Sequence, residues 1–217
     1  MGSRVRSPLS DRLLRTAITI VLLGVTACVL VPLLNIFALS FSDTKRVSEL
    51  SGLDILPKGF SLIVYKILAS NPYFIRSILN SVFITLTGTA INLLVTAMAA
   101  YALTRPSLPG RRIFMLLVIV VMVFEPGIVP EYLVVKKIGL MGSLWSVILY
   151  RSVFVYYLII LMRFFEEVPP SLIEAARVDG GGHWTVFTKI MLPLSKSATA
   201  TLGLFYGVMR WNEYFRP

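Results

Sequence analysis

From Thr16 to Phe41 the chain carries no charged residue, and from Ser77 to Leu103 there is again none. A helix needs about 20 mostly apolar residues to cross the hydrocarbon core of a bilayer, and a spanning strand only about 9–11. In lipid every backbone N–H and C=O must be satisfied within the protein, which leaves helices and closed barrels. Runs of this length therefore predict an all-α fold, a polytopic transmembrane helical domain. Leu144–Met162, broken only by Arg151, and Leu194–Met209, with Lys196 at its start, read as two further spans. Ile113–Phe124 is equally apolar but short, and Glu125-Pro126-Gly127-Ile128-Val129-Pro130-Glu131 and Tyr132–Val135 follow it. Two prolines and a glycine stop or kink a helix. Either the span ends at Glu125 and a surface loop follows, or a broken helix continues at membrane depth, where it must face protein or a water-filled cavity. About five spans result.

Composition agrees with a bilayer as solvent: 56% of residues are hydrophobic, 15% are charged, and the mean hydropathy is +0.80. Soluble chains are about 25% charged. A net charge of +10 would suggest nucleic acid in a soluble domain. Here the positive charges flank the spans, so lipid headgroups and topology account for them, and no nucleic-acid partner is expected. A single cysteine, Cys28, and a single histidine, His183, exclude a disulfide framework within the chain and argue against a zinc site. No Gly-Lys-Ser/Thr follows Gly180–Gly182, so there is no phosphate cradle. One histidine in a loop makes no credible Ser/His/Asp set. Neither catalysis, a metal nor a cofactor is expected of this chain.

Arg4, Arg6, Arg12 and Arg15 precede the first apolar run, which is too long for a signal peptide and reads as a retained span over 16–41. With five spans, a cytoplasmic N-terminal segment 1–15 places 104–112 and 163–193 on the same side. The density of Arg and Lys in these short segments favours that orientation and leaves the C-terminus outside. The outer loop 42–75 carries Phe60, Ile63, Tyr65 and Ile67, spaced for a short interfacial helix.

The polar segment 163–193 holds most of the functional information. Ser171 with Glu174 three residues on fits a capping box, and Leu172, Ala175 and Ala176 fall on one helical face. Asp179-Gly180-Gly181-Gly182 stops that helix, because glycine accepts the left-handed conformation of a helix C-terminus. Trp184, Phe187 and Ile190 share one face of a second short helix. Pro193 sits at the start of the last span, where its missing N–H costs little. Such stripes are buried either against the chain's own helix ends and the membrane surface or in a groove of another subunit.

Other candidates lie in the spans. Gly203 and Gly207 form a Gly-x-x-x-Gly that allows close helix approach, within the chain or with a sister subunit. Arg151 is an ionisable residue inside a span, either paired with Glu125 or Glu131 or in contact with substrate, for instance an acidic sugar. Trp211-Asn212-Glu213-Tyr214-Phe215 suits stacking and hydrogen bonding to a sugar, or equally an interfacial aromatic belt.

Glu174-Ala175-Ala176, three residues, Gly180, nine residues, Ile190, one residue, Leu192-Pro193 resembles the EAA loop of binding-protein-dependent ABC importer permeases. Gly127 to Leu140 and Arg163-Phe164-Phe165 to Pro169 are similar to the carbohydrate-uptake branch related to the maltose permeases, above all to permeases for oligosaccharides derived from polysaccharides. The similarity covers about 76–215. It implies a permease core over 76–217 in the bacterial cytoplasmic (inner) membrane. It implies four kinds of partner: a sister permease, a cytoplasmic ATP-binding subunit dimer that hydrolyses ATP in trans, an extracytoplasmic solute-binding protein, and the lipid bilayer. The loop 163–193 would be the ATPase-coupling loop. Glu174 would contact the ATPase, Ala175 and Ala176 would allow close approach, Asp179 and Gly180 would form the turn, and Phe187, Ile190, Leu192 and Pro193 would tie the loop to the membrane core. Three departures stand out. Gly181 and Gly182 extend the usual Asp-Gly-Ala turn and are expected to loosen it. Ser197 replaces a frequent proline. The family carries a sixth span where five are read here, which implies a partial chain.

Overall fold

The computed structural model describes residues 9–124 and 126–213. Arg4, Arg6, Glu125, Tyr214 and Phe215 lie outside the described residues. The chain divides into two compact units, Met1–Ile75 and Arg76–Pro217.

In the first unit, α1 (Leu9–Ser40) exposes every residue from 11 to 30. A helix apolar all round is one that lipid or other protein covers. Near its end Asn35 and Ala38 are buried. Asn35 Nδ2 donates to the carbonyls of Ser51 (2.9 Å) and Asp54 (2.7 Å), which ties the outer loop down. The Ser51 N–H donates to the Asp54 carboxylate at 2.8 Å, and this bond holds the Asp54 pKa below its ordinary value. Ser42 and Phe60 make an isolated antiparallel bridge, and Phe41 packs on Phe60 and Tyr65. The expected short helix forms as α2 (Ile63–Ser70). Phe60 lies outside it because its backbone is engaged in the bridge.

The second unit is helical throughout its ordered elements, which are α3 (Pro72–Leu103), α4 (Arg111–Val123), α5 (Ile128–Lys137), α6 (Leu144–Leu149), α7 (Val155–Glu166), α8 (Pro170–Val178), α9 (His183–Val186), α10 (Leu192–Leu194) and α11 (Lys196–Trp211). Pro72 stands in the first turn of α3, where Asn71 Oδ1 accepts the Tyr73 N–H at 3.0 Å as an N-cap. Among the described residues, α1 and α3 alone are single helices long and apolar enough to cross a bilayer.

The other apolar runs do not form single helices of that length. The helix does stop after Val123 and resumes as α5, with Pro126 in the gap and Pro130 in the first turn of α5. The continuous span expected over Leu144–Met162 does not form. It divides into α6, of six residues, and α7, of twelve, around a turn at 150–154. Apolar content reports the solvent of a run, not the continuity of its hydrogen bonds. The last span follows a π-helical stretch, Phe187–Met191, and α10. The Leu192 N–H reaches back five residues to the Phe187 carbonyl, which accommodates Pro193 just beyond, since a proline clashes with the carbonyl of an α-turn behind it.

The core of this unit gathers Ala97, Ala100, Tyr101 and Leu103 of α3, Leu158, Leu161, Met162 and Phe165 of α7, Val186, Phe187 and Met191 of the loop, and Ala198 and Leu202 of α11. It joins one end of α3, α7 and α11 to the second arm of the polar loop.

Candidate functional site: an exposed loop arm and a turn between two short helices

The loop 163–193 folds as two unequal arms. The first, α8, buries no residue fully. Its Ile173 and Ala176 pack on the core, while Leu172, Glu174, Ala175 and Val178 face outward, Val178 being 88% exposed. The expected face of Leu172, Ala175 and Ala176 is thus divided between core and solvent. The capping box does not form either. Pro169 is the N-cap and no side chain caps the helix; Ser171 lies one position inside it. The preset φ of the two prolines starts the helix without a hydroxyl cap.

The turn closes as a Schellman motif. The Gly180 N–H bonds the Arg177 carbonyl (3.0 Å) and the Gly181 N–H bonds the Ala176 carbonyl (2.7 Å), with Asp179 as C-cap and Gly180 at φ +80°. A Cβ on Gly181 would stand 2.6 Å from the Ala176 oxygen. The extra glycine therefore tightens the turn, contrary to the expectation, because only a residue without Cβ fits under that carbonyl.

The second arm is held. Phe187 is buried, and Ile190 and Leu192 pack on the core. Trp184 is exposed and reaches the stripe only through its ring contact with Phe187. Pro193 is exposed and acts through its backbone, not by packing. Tyr101 of α3 hydrogen-bonds His183 Nδ1 at 3.1 Å, and the Arg105 guanidinium lies over the Tyr101 ring. Partial burial, with a contribution from the Arg177 charge, moves the Arg105 pKa below its ordinary value.

The second feature lies between α6 and α7. A continuing helix would bond the carbonyls of Val147, Ile148 and Tyr150 to the N–H groups of Arg151, Ser152 and Phe154. Instead Arg210 of α11 donates to all three carbonyls, at 2.7, 3.1 and 2.5 Å. The Phe154 N–H donates to Tyr206 Oη at 3.0 Å. Tyr206 and Arg210 stand one turn apart on one face of α11 and are respectively 0% and 2% exposed. They meet Thr96 (2.7 Å) and Asn92 (3.2 Å), also one turn apart, on α3. Arg151, at φ +45°, is the one non-glycine residue with positive φ among the described residues. Its guanidinium pairs with Glu131 of α5 at 3.2 Å, the second of the two carboxylates expected. Glu131, Tyr150, Arg151, Phe154 and Tyr156 line a cavity of about 500 Å³ with Pro126 and Pro130. Both helix breaks open onto it.

The other candidates lie elsewhere. Gly203 and Gly207 face Leu93 and Thr89 of α3, so they pack within the chain. Trp211 and Asn212 are exposed and line a separate groove with Thr85, Thr89 and the two glycines. Asn212 Nδ2 bonds the Val208 carbonyl at 2.8 Å. The structure does not bring these residues to Arg151. The sequence reading overlooked Arg210, Tyr206, Asn92 and Thr96. Arg210 follows the apolar run ending at Met209, so it reads as interfacial. The spacing of four in both pairs was the available signal.

Residues 83–215 match the model of the family described as binding-protein-dependent transport system inner membrane component. Among curated relatives, the chain is 41% identical over 187 residues to the polygalacturonan/rhamnogalacturonan transport system permease protein YtcP of Bacillus subtilis, covering 86% of this chain and 65% of that one. It is 42% identical over 192 residues to Protein LplC of the same organism, covering 88% and 65%. The chain thus spans about 65% of the length of these two relatives. A bacterial ABC transporter involved in the import of the acidic polysaccharide alginate superposes on 96% of this chain and 74% of its own, with a TM-score of 0.90 at 30% identity.

Proposed function

The chain belongs to the binding-protein-dependent transport system inner membrane component family, and from that premise we propose that it is a permease subunit of an ATP-driven importer of oligosaccharides. The observation that carries this reading is the asymmetry of the 163–193 loop. One arm is fixed in the core through Phe187 and Met191, and the other presents Leu172, Glu174, Ala175 and Val178 on a short helix stiffened by a Schellman turn. An exposed amphipathic helix on a rigid base suits the groove of a second subunit. A cytoplasmic ATPase dimer is that subunit in our reading, and hydrolysis occurs there. A sister permease completes the pathway, and an extracytoplasmic binding protein delivers substrate. Residues 76–217 form the permease core, and the N-terminus and the 163–193 loop face the cytoplasm.

The substrate class follows from relatives named for polygalacturonan and rhamnogalacturonan and a structural neighbour named for alginate. The cavity at Arg151 offers aromatic faces and a charged pair to a saccharide. Arg151 is neutralised by Glu131, so an acidic sugar would meet a pair and not a lone cation. Comparing uptake of uronate and neutral oligosaccharides in Arg151→Ala tests that contact; equal loss on both removes the charge argument.

The reading as a whole is tested by purifying the chain in detergent. An ATPase should co-purify, and should be lost when Glu174 and Gly180 are replaced. ATP-independent transport by the chain alone would overturn it in favour of a channel or carrier.

A further inference from the structure

We propose that Arg210 is a positioning residue for transport, through which movement of the 163–193 loop is carried along α11 to the strained turn at Arg151 that walls the membrane-depth cavity. The inference rests on the permease reading above.

The loop's second arm passes into α11 through a π-helical stretch, α10 and Ser195. From Lys196 to Arg210 the helix rises about 21 Å. At its base Phe187 and Met191 are held in the core. At its far end Tyr206 and Arg210 supply the hydrogen bonds that the chain between α6 and α7 has given up. Neither side of the break is satisfied by its own helix. If α11 rotates or slides, these bonds must rupture or residues 147–154 must follow. Rupture strands a guanidinium that is 2% exposed, and an uncompensated buried charge is strongly disfavoured. The turn therefore follows. Arg151 stands at its apex in a backbone conformation that L residues avoid. Its ion pair with Glu131 passes the displacement to α5, the second helix that breaks at this cavity.

Arg210 is guided as well as bonded. A Cβ on Gly88 of α3 would come within 3.2 Å of its Nε and 3.3 Å of its Cδ. The arm thus runs in a slot left by that glycine, with Asn92 Oδ1 at the tip. A plain helix cap needs no such slot.

The test uses the transporter assembled from this chain, its ATPase, sister permease and binding protein in proteoliposomes. ATP hydrolysis is measured with and without binding protein loaded with trigalacturonate, alongside uptake of the labelled sugar. Arg210→Lys keeps the charge but lacks the planar fork that reaches three carbonyls. Gly88→Ala keeps every polar group and only displaces the arm. Both are expected to retain the co-purifying ATPase and basal hydrolysis while uptake per ATP falls about five- to tenfold. Uptake per ATP at the wild-type value in both variants overturns the proposal. So does loss of assembly in both, which marks a structural cap, or a raised half-saturating sugar concentration with uptake per ATP unchanged, which marks a substrate contact. A wild-type assembly whose hydrolysis ignores the loaded binding protein sinks the permease reading, and this inference with it.

Discussion

Tyr206 hydrogen-bonds Thr96 and receives the Phe154 N–H, so one fully buried hydroxyl serves two elements. Tyr206→Phe is expected to cost about 1–3 kcal/mol, the penalty of leaving a buried backbone donor unmet. The check is thermal unfolding in detergent, with helical content unchanged below the transition. A second residue-scale prediction concerns the Schellman turn. Gly181→Ala forces the Ala176 carbonyl outward, and Gly180→Leu places a side chain at φ +80°, at about 1–2 kcal/mol for the left-handed backbone alone. Both should insert normally in the membrane. Gly180→Leu should abolish uptake, and normal uptake by that variant would remove the loop's role in driving transport.

Among the elements, the two composite spans are joined by the Arg151–Glu131 pair, and a double-mutant cycle measures that link. With Arg151→Met and Glu131→Gln, the unfolding free energies should show a coupling of about 1–3 kcal/mol, in the range of hydrogen bonds to charged groups. What could be read beforehand divides along the same line. Apolar runs marked the two long helices, so α1 and α3 were legible except at their starts, Leu9 and Pro72, which lie before the charge-free stretches. Pro126 and Pro130 announced the first break because proline acts locally. No local signal announced the second. The sequence Tyr150-Arg151-Ser152-Val153-Phe154 has no breaker, and the turn exists because α11, more than fifty residues on, supplies Arg210 and Tyr206. The loop was legible as two helices and a glycine stop. Phe187, Ile190 and Ala176 pack on the core as their spacing suggested, but on the first arm Ile173 takes the place expected of Leu172.

For the whole molecule the testable property is its orientation. Cys28 is the only cysteine, so Cys28→Ser gives a background without thiols. In intact cells, an impermeant maleimide should label Ser51→Cys in the outer loop, and should label Gly182→Cys only after permeabilisation. The reverse pattern would place the 163–193 loop outside and end the case for a cytoplasmic ATPase. The apolar surface of α1 from 11 to 30 belongs to this scale too, because lipid or other protein must cover it.

The π-helical stretch at Phe187–Met191 acts as a phase setting for everything beyond it. Such a turn takes up one residue more than an α-turn without turning the helix beyond it, whereas one residue added to a plain α-helix rotates everything downstream by about 100°. Under that rotation Tyr206 and Arg210 would swing off the turn they serve, and Phe205 and Met209 would come to their places. An alanine inserted after Ser195 alone should therefore lower the unfolding temperature sharply. Deleting Thr188 should lower it less, because the stretch can shorten to an α-turn and leave Tyr206 and Arg210 in phase. The stretch thus indexes the far end of the helix, as a spline fixes the angle of a shaft.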